Sequence, residues 1–368
     1  MNQPARQYTS QLEKRPCGSS GPQLSVLGLG CWQFGGGDYW GESNQENVDR
    51  VVRTALDAGI NYFDTAEMYN DGRSEAFLGK ALKGTDRDRV VVGTKIWPTH
   101  LQPQAIRAHC EASLQRLAMD TIDIYMVHWP CNARTYPLFV DSAVMGVTLA
   151  SGKADTPSLP EAVEMLLTLQ AEGKIRHLGV SNHAVERLEE IRQLGGEYVV
   201  NQLAYNLASR GAEYEILPHC EKTGTGVIAY MVLLQGLLTD RYASLDEVPD
   251  WYTRTRHFRA DRSPKTRHGE AGAEAQFLEA LTGLRALADE CGSTLADLAV
   301  QWAIAGPGIT CALIGTQSTD RLQQAVQAAG RSLTPEVLKQ LDTLTQPLKE
   351  HLGPSLDIFE CVANDRTR

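Results

Sequence analysis

Several features that would assign this chain to a common class are missing from its sequence. No apolar run approaches the ~18–20 residues that span a bilayer, and the first 22 residues lack the apolar stretch of a secretory signal. The formal net charge is −10, whereas a general binder of DNA or RNA needs a basic surface. We therefore expect a cytoplasmic protein that binds neither membranes nor nucleic acids. One local cationic pocket remains compatible with this charge.

Metal and nucleotide motifs are also absent. The eight cysteines are scattered, with no C-x-x-C and no zinc spacing, so we expect reduced cysteines that serve packing and no metal site. Gly28 and Gly30 are followed by Gln33 where a G-x-G-x-x-G motif requires its third glycine. The sequence contains neither a Walker A motif nor H-E-x-x-H. A bound nucleotide would therefore need another kind of site.

Short β-rich runs alternate with stretches of helical period along the chain. Parallel strands need helical crossovers, and eight such strands close into a (β/α)8 TIM barrel. We predict this α/β fold as a single domain over 23–368 with long inserted loops, preceded by a polar tail over 1–22; an open doubly wound sheet is the alternative. The eight runs span residues 27–32, 60–66, 89–95, 122–128, 176–182, 199–205, 226–231 and 311–316.

Capping signals predict where helices begin, and two insertions interrupt the alternation of strands and helices. Ser43 with Glu46, and Ser158 with Glu161, have capping-box spacing and predict helix starts. Insertions are predicted at 131–158 and at 241–272, the second being either a solvated polar loop or a cover over the barrel mouth. Further helices are predicted at 103–118, 184–194, 212–223 and 318–329.

Polar residues recur at the carboxyl ends of the predicted strands, where barrels of this type place their chemistry. Alone, Lys95 could reach solvent and His128 could be an ordinary interior histidine. Together they favour a site, because a buried Lys95 needs a carboxylate and Asp64 ends the neighbouring strand. Residues at the same rim from later strands are Ser181, Asn182, Gln202, Tyr230, Gly315 and Thr316.

These residues suggest a proton-donating site without a metal. The hydroxyl of Tyr69 has an ordinary pKa near 10, and a nearby Lys95 ammonium, held by Asp64, is expected to lower it toward the working range. A neutral His128 would orient a carbonyl. Reduction of a carbonyl also needs a hydride, which a nicotinamide cofactor supplies. The phosphate seat is predicted where Gly315, Thr316, Gln317 and Ser318 open a helix that carries Arg321, although an ordinary capped helix is the alternative.

The runs GLGCW, FDTAEMY, VVVGTK, DIYMVHWP, GKIRHLGVSN, NQLAYN and AYMVLLQGLLT, in this order, closely resemble the aldo-keto reductases. The spacing HFRADR…RHGEAGAE resembles their microbial and plant branch. The resemblance extends over about 24–330 and implies a barrel that reduces aldehydes or ketones with NAD(P)H. It implies that Tyr69 is the acid, with Asp64, Lys95 and His128 as its partners. The residues that it places at the cofactor are Ser181, Asn182, Gln202, Tyr230, Leu233, Gln235, Gly315, Thr316, Gln317, Arg321 and Gln324, and those at the substrate are Trp32 and Trp129.

The sequence departs from the family pattern at Met231-Val232 and Gln324-Ala325, and Cys31 replaces a usual Thr. Arg321 persists where the family meets a 2′-phosphate, so NADP(H) is expected, with NAD(H) as the alternative.

Two other functions stay open at this point: a regulatory or redox-sensing protein on the same fold, and a Schiff-base enzyme that uses Lys95 as its nucleophile. The substrate is expected to be a small carbonyl compound, apolar or sugar-like, and the protein a monomer or weak homo-oligomer.

Overall fold

A closed barrel of eight parallel strands forms the centre of the molecule. The computed structural model describes residues 12–140 and 156–368. The (β/α)8 prediction is confirmed and the open sheet is wrong, because the last strand pairs with the first and every one of the eight runs contains a strand. The barrel strands are β3 Leu27–Gly30, β4 Tyr62–Asp64, β5 Val91–Ile96, β6 Ile122–Val127, β7 Ile175–Ser181, β8 Tyr198–Ala204, β9 Gly226–Tyr230 and β10 Ile309–Gly315.

Helices lie between successive strands and after β10, and each helix that the sequence predicts is present. Among the described residues, no helix is both long enough and apolar enough to cross a bilayer. The helices are α1 Gln45–Asp57, α2 Arg73–Ala81, α3 Pro103–Leu117, α4 Tyr136–Val140, α5 Leu159–Ala171, α6 Val185–Gln193, α7 Ile216–Thr223, α8 Glu274–Glu290, α9 Leu295–Ala305, α10 Thr319–Ala329 and α11 Pro335–Leu352.

The predicted capping boxes are only partly correct. Helix α1 is capped by Asn44, not Ser43, and the Asn44 side chain accepts a hydrogen bond from the backbone N–H of Asn47 at 2.8 Å. Ser158 is the N-cap residue of α5, but its side chain makes no capping hydrogen bond. Asn and Ser are about equally good caps, so the identity of the residue could not decide between the neighbouring positions 43 and 44.

The described part of the predicted tail is structured. Strands β1 (Lys14–Pro16) and β2 (Gln23–Ser25) form an antiparallel pair. Cys17, between them, is fully buried and packs with interior barrel residues such as Val199 and Ile228. Leu12 onward therefore packs against the barrel, whereas a polar tail was expected over the whole of 1–22. The division of the chain into a tail and one barrel domain stays a prediction.

The two predicted insertions differ in what the structure describes. Residues 141–155 of the first lie outside the described residues. The second, 241–272, contains only a short turn of 3-10 helix at Leu245–Glu247, and its Tyr252 and Arg254 line the cavity at the carboxyl ends of the strands. This position agrees with a cover over the barrel mouth rather than a solvated loop.

The barrel interior has no room for an added side-chain atom at Gly93, in β5. A Cβ there would overlap the Tyr62 hydroxyl and approach the Cε of Met126 at 3.1 Å. We expect Gly93→Ala to lower the free energy of unfolding by about 1–3 kcal/mol, as overpacked core substitutions do. Urea unfolding followed by far-UV circular dichroism measures this change.

The matched control is Gly330→Ala, where the nearest atom to a new Cβ is the Val326 carbonyl oxygen at 3.6 Å. This variant should stay within about 0.5 kcal/mol of the parent protein. Equal stability of the two variants would show that the interior at Gly93 adapts freely.

Candidate active site

A fully buried ammonium group lies at the base of the barrel mouth. Lys95, in β5, has no exposed surface, and its Nζ is 2.8 Å from both carboxylate oxygens of Asp64, at the end of β4. The Nζ also donates to the Thr65 carbonyl at 2.9 Å. Burial of an ammonium is costly unless it is paired and hydrogen-bonded. Neighbouring parallel strands place both ionic partners at one rim, as their positions at strand ends predict.

The phenol of Tyr69 contacts this pair from the loop after β4. Its hydroxyl oxygen is 3.2 Å from the Lys95 Nζ. The next residue, Asn70, has a left-handed φ of 52°, and its side-chain amide donates at 2.7 Å to the carbonyls of Trp32 and Phe34. The Trp32 ring in turn stacks on Tyr69 with centroids 5.7 Å apart. One asparagine therefore fixes the phenol and the loop that carries Trp32 together.

The electrostatics of Tyr69 differ from the sequence-based expectation. Burial and the negative charge of Asp64 raise the pKa of Tyr69 well above its ordinary value. Burial lowers the pKa of Lys95, while the attraction of Asp64 opposes that change. The expected acidification of the phenol is absent because burial, and after it the charge of Asp64, raises the pKa of Tyr69 despite the neighbouring Lys95. Tyr69 is thus fully protonated at neutral pH.

A neutral imidazole lies beside the phenol. His128 follows β6, and burial together with the charge of Lys95 lowers its pKa well below the ordinary value. Its ring meets those of Tyr69 and Trp97 edge-on, at centroid distances of 5.8 and 5.3 Å. The buried His128 Nδ1 has no hydrogen-bond partner among the described residues.

These groups face a cavity of about 760 Å³ at the carboxyl ends of the strands. Lys95 is behind its wall, in contact with it only through Asp64 and Tyr69. Apart from Ser318, every other residue that the sequence places at the site lines the cavity. They are Trp32, Asp64, Tyr69, His128, Trp129, Ser181, Asn182, Gln202, Tyr230, Leu233, Gln235, Gly315, Thr316, Gln317, Arg321 and Gln324.

Amide and hydroxyl side chains from β7, β8 and β9 are linked to one another. The Tyr230 hydroxyl donates to the Asn182 Oδ1 at 2.7 Å, and the Asn182 amide donates to the Ser181 hydroxyl at 3.0 Å. Gln202, expected at the cofactor, instead donates from its amide nitrogen to Asp64 at 2.7 Å. Gln202 lines the cavity but also supports the Asp64–Lys95 pair.

The end of β10 leads directly into the N-terminus of α10. The Thr316 hydroxyl accepts from the backbone N–H of Ser318 at 3.0 Å, and the Ser318 hydroxyl caps the helix by accepting from the N–H of Arg321 at 3.3 Å. The Arg321 side chain is exposed, and no carboxylate within the described parts of the chain pairs with it. The first turn of α10 thus carries the unpaired Arg321 beside one acidic residue, Asp320, at a helix N-terminus, which in general favours an anion.

Comparison with known proteins agrees with this geometry. Residues 26–346 match the family model described as the aldo/keto reductase family. The chain belongs to the aldo/keto reductase family. NAD(P)H-dependent carbonyl reduction, predicted from the sequence, is confirmed at the level of this family.

The reductase is similar to proteins of several bacteria. It is 37% identical over 247 residues to the NADH-specific methylglyoxal reductase of Escherichia coli, covering 62% of this chain and 69% of that protein. It is 30% identical over 356 residues to an aldo-keto reductase of Bacillus subtilis, covering 93% and 97%. A crystal structure of an aldo-keto reductase from Klebsiella pneumoniae in complex with NADPH superposes with a TM-score of 0.66 at 28% identity, covering 91% and 96%.

The cavity of the reductase fits a nicotinamide dinucleotide. Both polar atoms of the Gln235 side-chain amide are buried and lack a partner among the described residues, although buried amides are normally hydrogen-bonded. Gln235 and Met231 also have left-handed φ angles of 57°. Met231 replaces a usual Ser, and its carbonyl accepts from the Asn206 amide at 3.0 Å. The orphaned amide beside Leu233 is what an absent polar ligand would leave.

Sequence analysis missed the residues that complete the outer wall. Tyr39, Trp97, Arg254, Phe359 and Arg366 all line the cavity. Trp97 directly follows β5, so its place at a strand end could have marked it. The others come from loops and from the C-terminal segment, where neither hydrophobic period nor strand ends mark a side chain. The cation–π contact of Arg366 with Trp129, 4.2 Å from Cζ to the ring centroid, joins positions that are far apart in the sequence.

A second buried carboxylate supports the wall from behind. Glu67 accepts hydrogen bonds from His100 Nδ1 at 2.8 Å and His109 Nδ1 at 2.7 Å, and from the backbone N–H of Trp97 at 2.8 Å. Burial alone would raise the pKa of Glu67, but the hydrogen bonds and charges of the two histidines lower it to about 2. The carboxylate therefore stabilises the loop that carries Trp97.

Glu67→Gln should destabilise the reductase by up to about 3 kcal/mol at pH 6–7, because a folded pKa near 2 against an ordinary 4.5 favours folding of the ionised form. A lowered pKa gives stability above the unfolded value, so this difference should shrink as pH falls from about 4.5 toward 2. Urea unfolding at several pH values measures it.

Glu197→Gln, which changes an exposed carboxyl, is the control and should alter stability by less than about 0.5 kcal/mol. A Glu67→Gln difference that stays constant down to pH 2 would contradict the assigned ionisation.

Proposed function

We propose that Tyr69 is the proton donor of the carbonyl reduction and that the cofactor is NADP(H). The observation that carries this proposal is the contact of the Tyr69 hydroxyl with the Lys95 ammonium at 3.2 Å, on the wall of the 760 Å³ cavity. The reduced nicotinamide, when bound, supplies the hydride that joins the carbonyl carbon. Tyr69 supplies the proton that joins the carbonyl oxygen, so one C=O becomes CH–OH.

The partners of Tyr69 act before and after the transfer. Burial keeps the phenol protonated, and therefore ready to donate. Once the proton has left, the phenolate is 3.2 Å from the Lys95 ammonium, which stabilises that charge. Asp64 and Gln202 hold Lys95 in place. The neutral His128 is placed to orient the carbonyl oxygen beside Tyr69.

The alternative functions are weaker. A Schiff-base lysine must be neutral and free to attack, whereas the Lys95 Nζ donates to two Asp64 oxygens and the Thr65 carbonyl. A regulatory role without turnover leaves the arrangement around Tyr69 without a purpose. It stays testable, because such a protein would bind cofactor without reducing any carbonyl compound.

We assign the residues of the cavity to three parts of the cofactor. Ser181, Asn182 and Tyr230 are placed at the nicotinamide amide and ring, while Leu233 and Gln235 face the diphosphate. Gly315, Thr316, Gln317, Arg321 and Gln324 then surround the adenosine end. NADP(H) is favoured because Arg321 lacks a carboxylate partner in the described structure, and a guanidinium binds phosphate well. The relatives named above include one NADPH complex and one NADH-specific enzyme.

The cysteines of the reductase favour a reducing cellular location. All eight cysteines are free thiols and most are buried, as is common in the reducing cytoplasm. We propose a cytoplasmic monomer or weak homo-oligomer.

Tyr69→Phe should lower kcat for aldehyde reduction by about 10²–10⁴-fold, because general acid catalysis is lost while the ring remains. Stopped-flow and steady-state assays of NADPH oxidation measure it. Tyr214→Phe changes an exposed phenol that does not line the cavity and that donates to the Lys349 carbonyl. This control should leave kcat unchanged. Near-full turnover by Tyr69→Phe with intact NADPH binding would refute the assignment.

Arg321→Ala should raise KM for NADPH by about 10–100-fold, the worth of a charge-assisted hydrogen bond, and change KM for NADH little. Arg107→Ala, which removes a surface pair with Glu172, should alter neither constant. Equal increases for both cofactors would place the 2′-phosphate elsewhere.

A further inference from the structure

The charges that line the cavity do not balance. Its three lining aspartates each have a cationic partner outside the open space. Asp64 pairs with Lys95 at 2.8 Å, Asp240 with Arg285 at 3.5 Å, and Asp297 with Arg331 at 3.1 Å. The carboxylates on this wall are therefore neutralised.

The lining cations divide into paired and unpaired groups. Arg267 pairs with Glu360, and Arg366 with Asp357, both within normal salt-bridge distance. Across 12–140 and 156–368, no carboxylate forms a salt bridge with the other four. In a chain of net charge −10, the cavity thus has an excess of positive charge. The unpaired lining cations are Arg241, Arg254, Lys265 and Arg321.

These four cations occupy two parts of the cavity. Arg321 is in the first turn of α10, and Arg241 lies near Gly236, beside Gln235. Phosphates of the dinucleotide account for this first group under the assignment above. Arg254 and Lys265 belong to the inserted loop 241–272 and have no such explanation.

Arg254 is held by aromatic rings rather than by a carboxylate. Its Cζ is 5.5 Å from the ring centroid of Tyr39, 5.3 Å from that of Trp251 and 5.0 Å from that of Phe359. The Lys265 Nζ is 4.7 Å from the same Trp251 ring. The Arg254 Nη1 also donates to the Trp251 carbonyl. Neither this hydrogen bond nor the cation–π contacts cancel the cationic charge, so both side chains can still attract an anion.

A row of rings connects these cations with the reacting phenol. Tyr69 stacks on Trp32 at 5.7 Å, and Trp32 stacks on Tyr39 at 4.9 Å. Arg254 covers the Tyr39 ring and reaches its hydroxyl from Nη1 at 3.4 Å. The cations therefore lie on the substrate side of the cavity. The rings of Trp32 and Tyr39, which we call the aromatic wall, lie between these cations and Tyr69.

We propose that Arg254 and Lys265 form an anion subsite, and that the reductase prefers aldehydes or ketones that carry a carboxylate or phosphate remote from the carbonyl. The planar guanidinium of Arg254 would bind the anion in a bidentate manner, with Lys265 as the more exposed second charge. The aromatic wall would contact the apolar part between the two ends. This inference rests on the proposed function only in taking Tyr69 as the reacting end.

The test compares matched substrates with and without the charge. Aldehydes such as 3- and 4-carboxybenzaldehyde are assayed against their methyl esters at saturating NADPH, and 4-formylphenyl phosphate against its dimethyl ester distinguishes phosphate from carboxylate. We expect kcat/KM for the best anion to exceed that of its ester by at least tenfold. Arg254→Gln should reduce this ratio at least tenfold, and Lys265→Gln by less.

The control is Arg259→Gln, an exposed arginine of the same loop that pairs with Asp261 and should leave the ratio unchanged. A parental ratio near one, or a ratio unaffected by Arg254→Gln, would overturn the subsite. Equal losses for acid and ester would show a merely structural role and would overturn it too.

Failure of the proposed function gives a different result. If no aldehyde or ester is reduced, the catalytic assignment fails, and the subsite is judged by binding instead. The Kd of 4-(hydroxymethyl)benzoate, measured by quenching of tryptophan fluorescence, should then rise at least tenfold in Arg254→Gln. The Kd of its methyl ester, the uncharged control, should not change. Equal binding by both proteins would overturn the subsite independently.

Discussion

The buried pair of Lys95 and Asp64 is the constraint on which the rest of the site depends. An ammonium with no exposed surface persists in a barrel interior only if its three protons have acceptors. Asp64, the Thr65 carbonyl and the Tyr69 hydroxyl provide them, and Gln202 satisfies the carboxylate from the far side of the barrel. Three strands (β4, β5 and β8) and one loop therefore converge on this pair and fix its position.

The same pair decides when the phenol is acidic. While Asp64 offsets Lys95, burial keeps Tyr69 protonated, which suits a group that must give a proton only to a substrate in place. After transfer the Tyr69 oxygen is negatively charged 3.2 Å from the ammonium, so this existing contact is stronger in the product state than in the resting one. Stabilisation that appears only as charge develops lowers a barrier, whereas a phenol ionised at rest would have no proton to give.

The sequence predicts those parts of the fold and the site that hydrophobic periodicity marks, and no others. The strand runs are apolar and alternate with helical stretches, so the barrel and the rim positions of Asp64, Lys95 and His128 could be inferred. The raised pKa of Tyr69 could not, because it depends on distances among buried charges. The loop that carries Arg254 was predicted as a possible cover over the barrel mouth, but the contact of Arg254 with Phe359 was not, since it joins that loop to the C-terminal segment about a hundred residues away and no local pattern marks such a contact.

Total charge is likewise a poor guide to a cavity. The acidic balance of the chain reflects exposed carboxylates that water screens, whereas the cavity field is set by the few ions whose partners are missing. Asp240 and Asp297 face the cavity but are neutralised by Arg285 and Arg331 behind them. Low-dielectric walls then concentrate the field of the unpaired cations. An acidic protein can therefore draw anionic ligands into one opening while its surface repels them elsewhere.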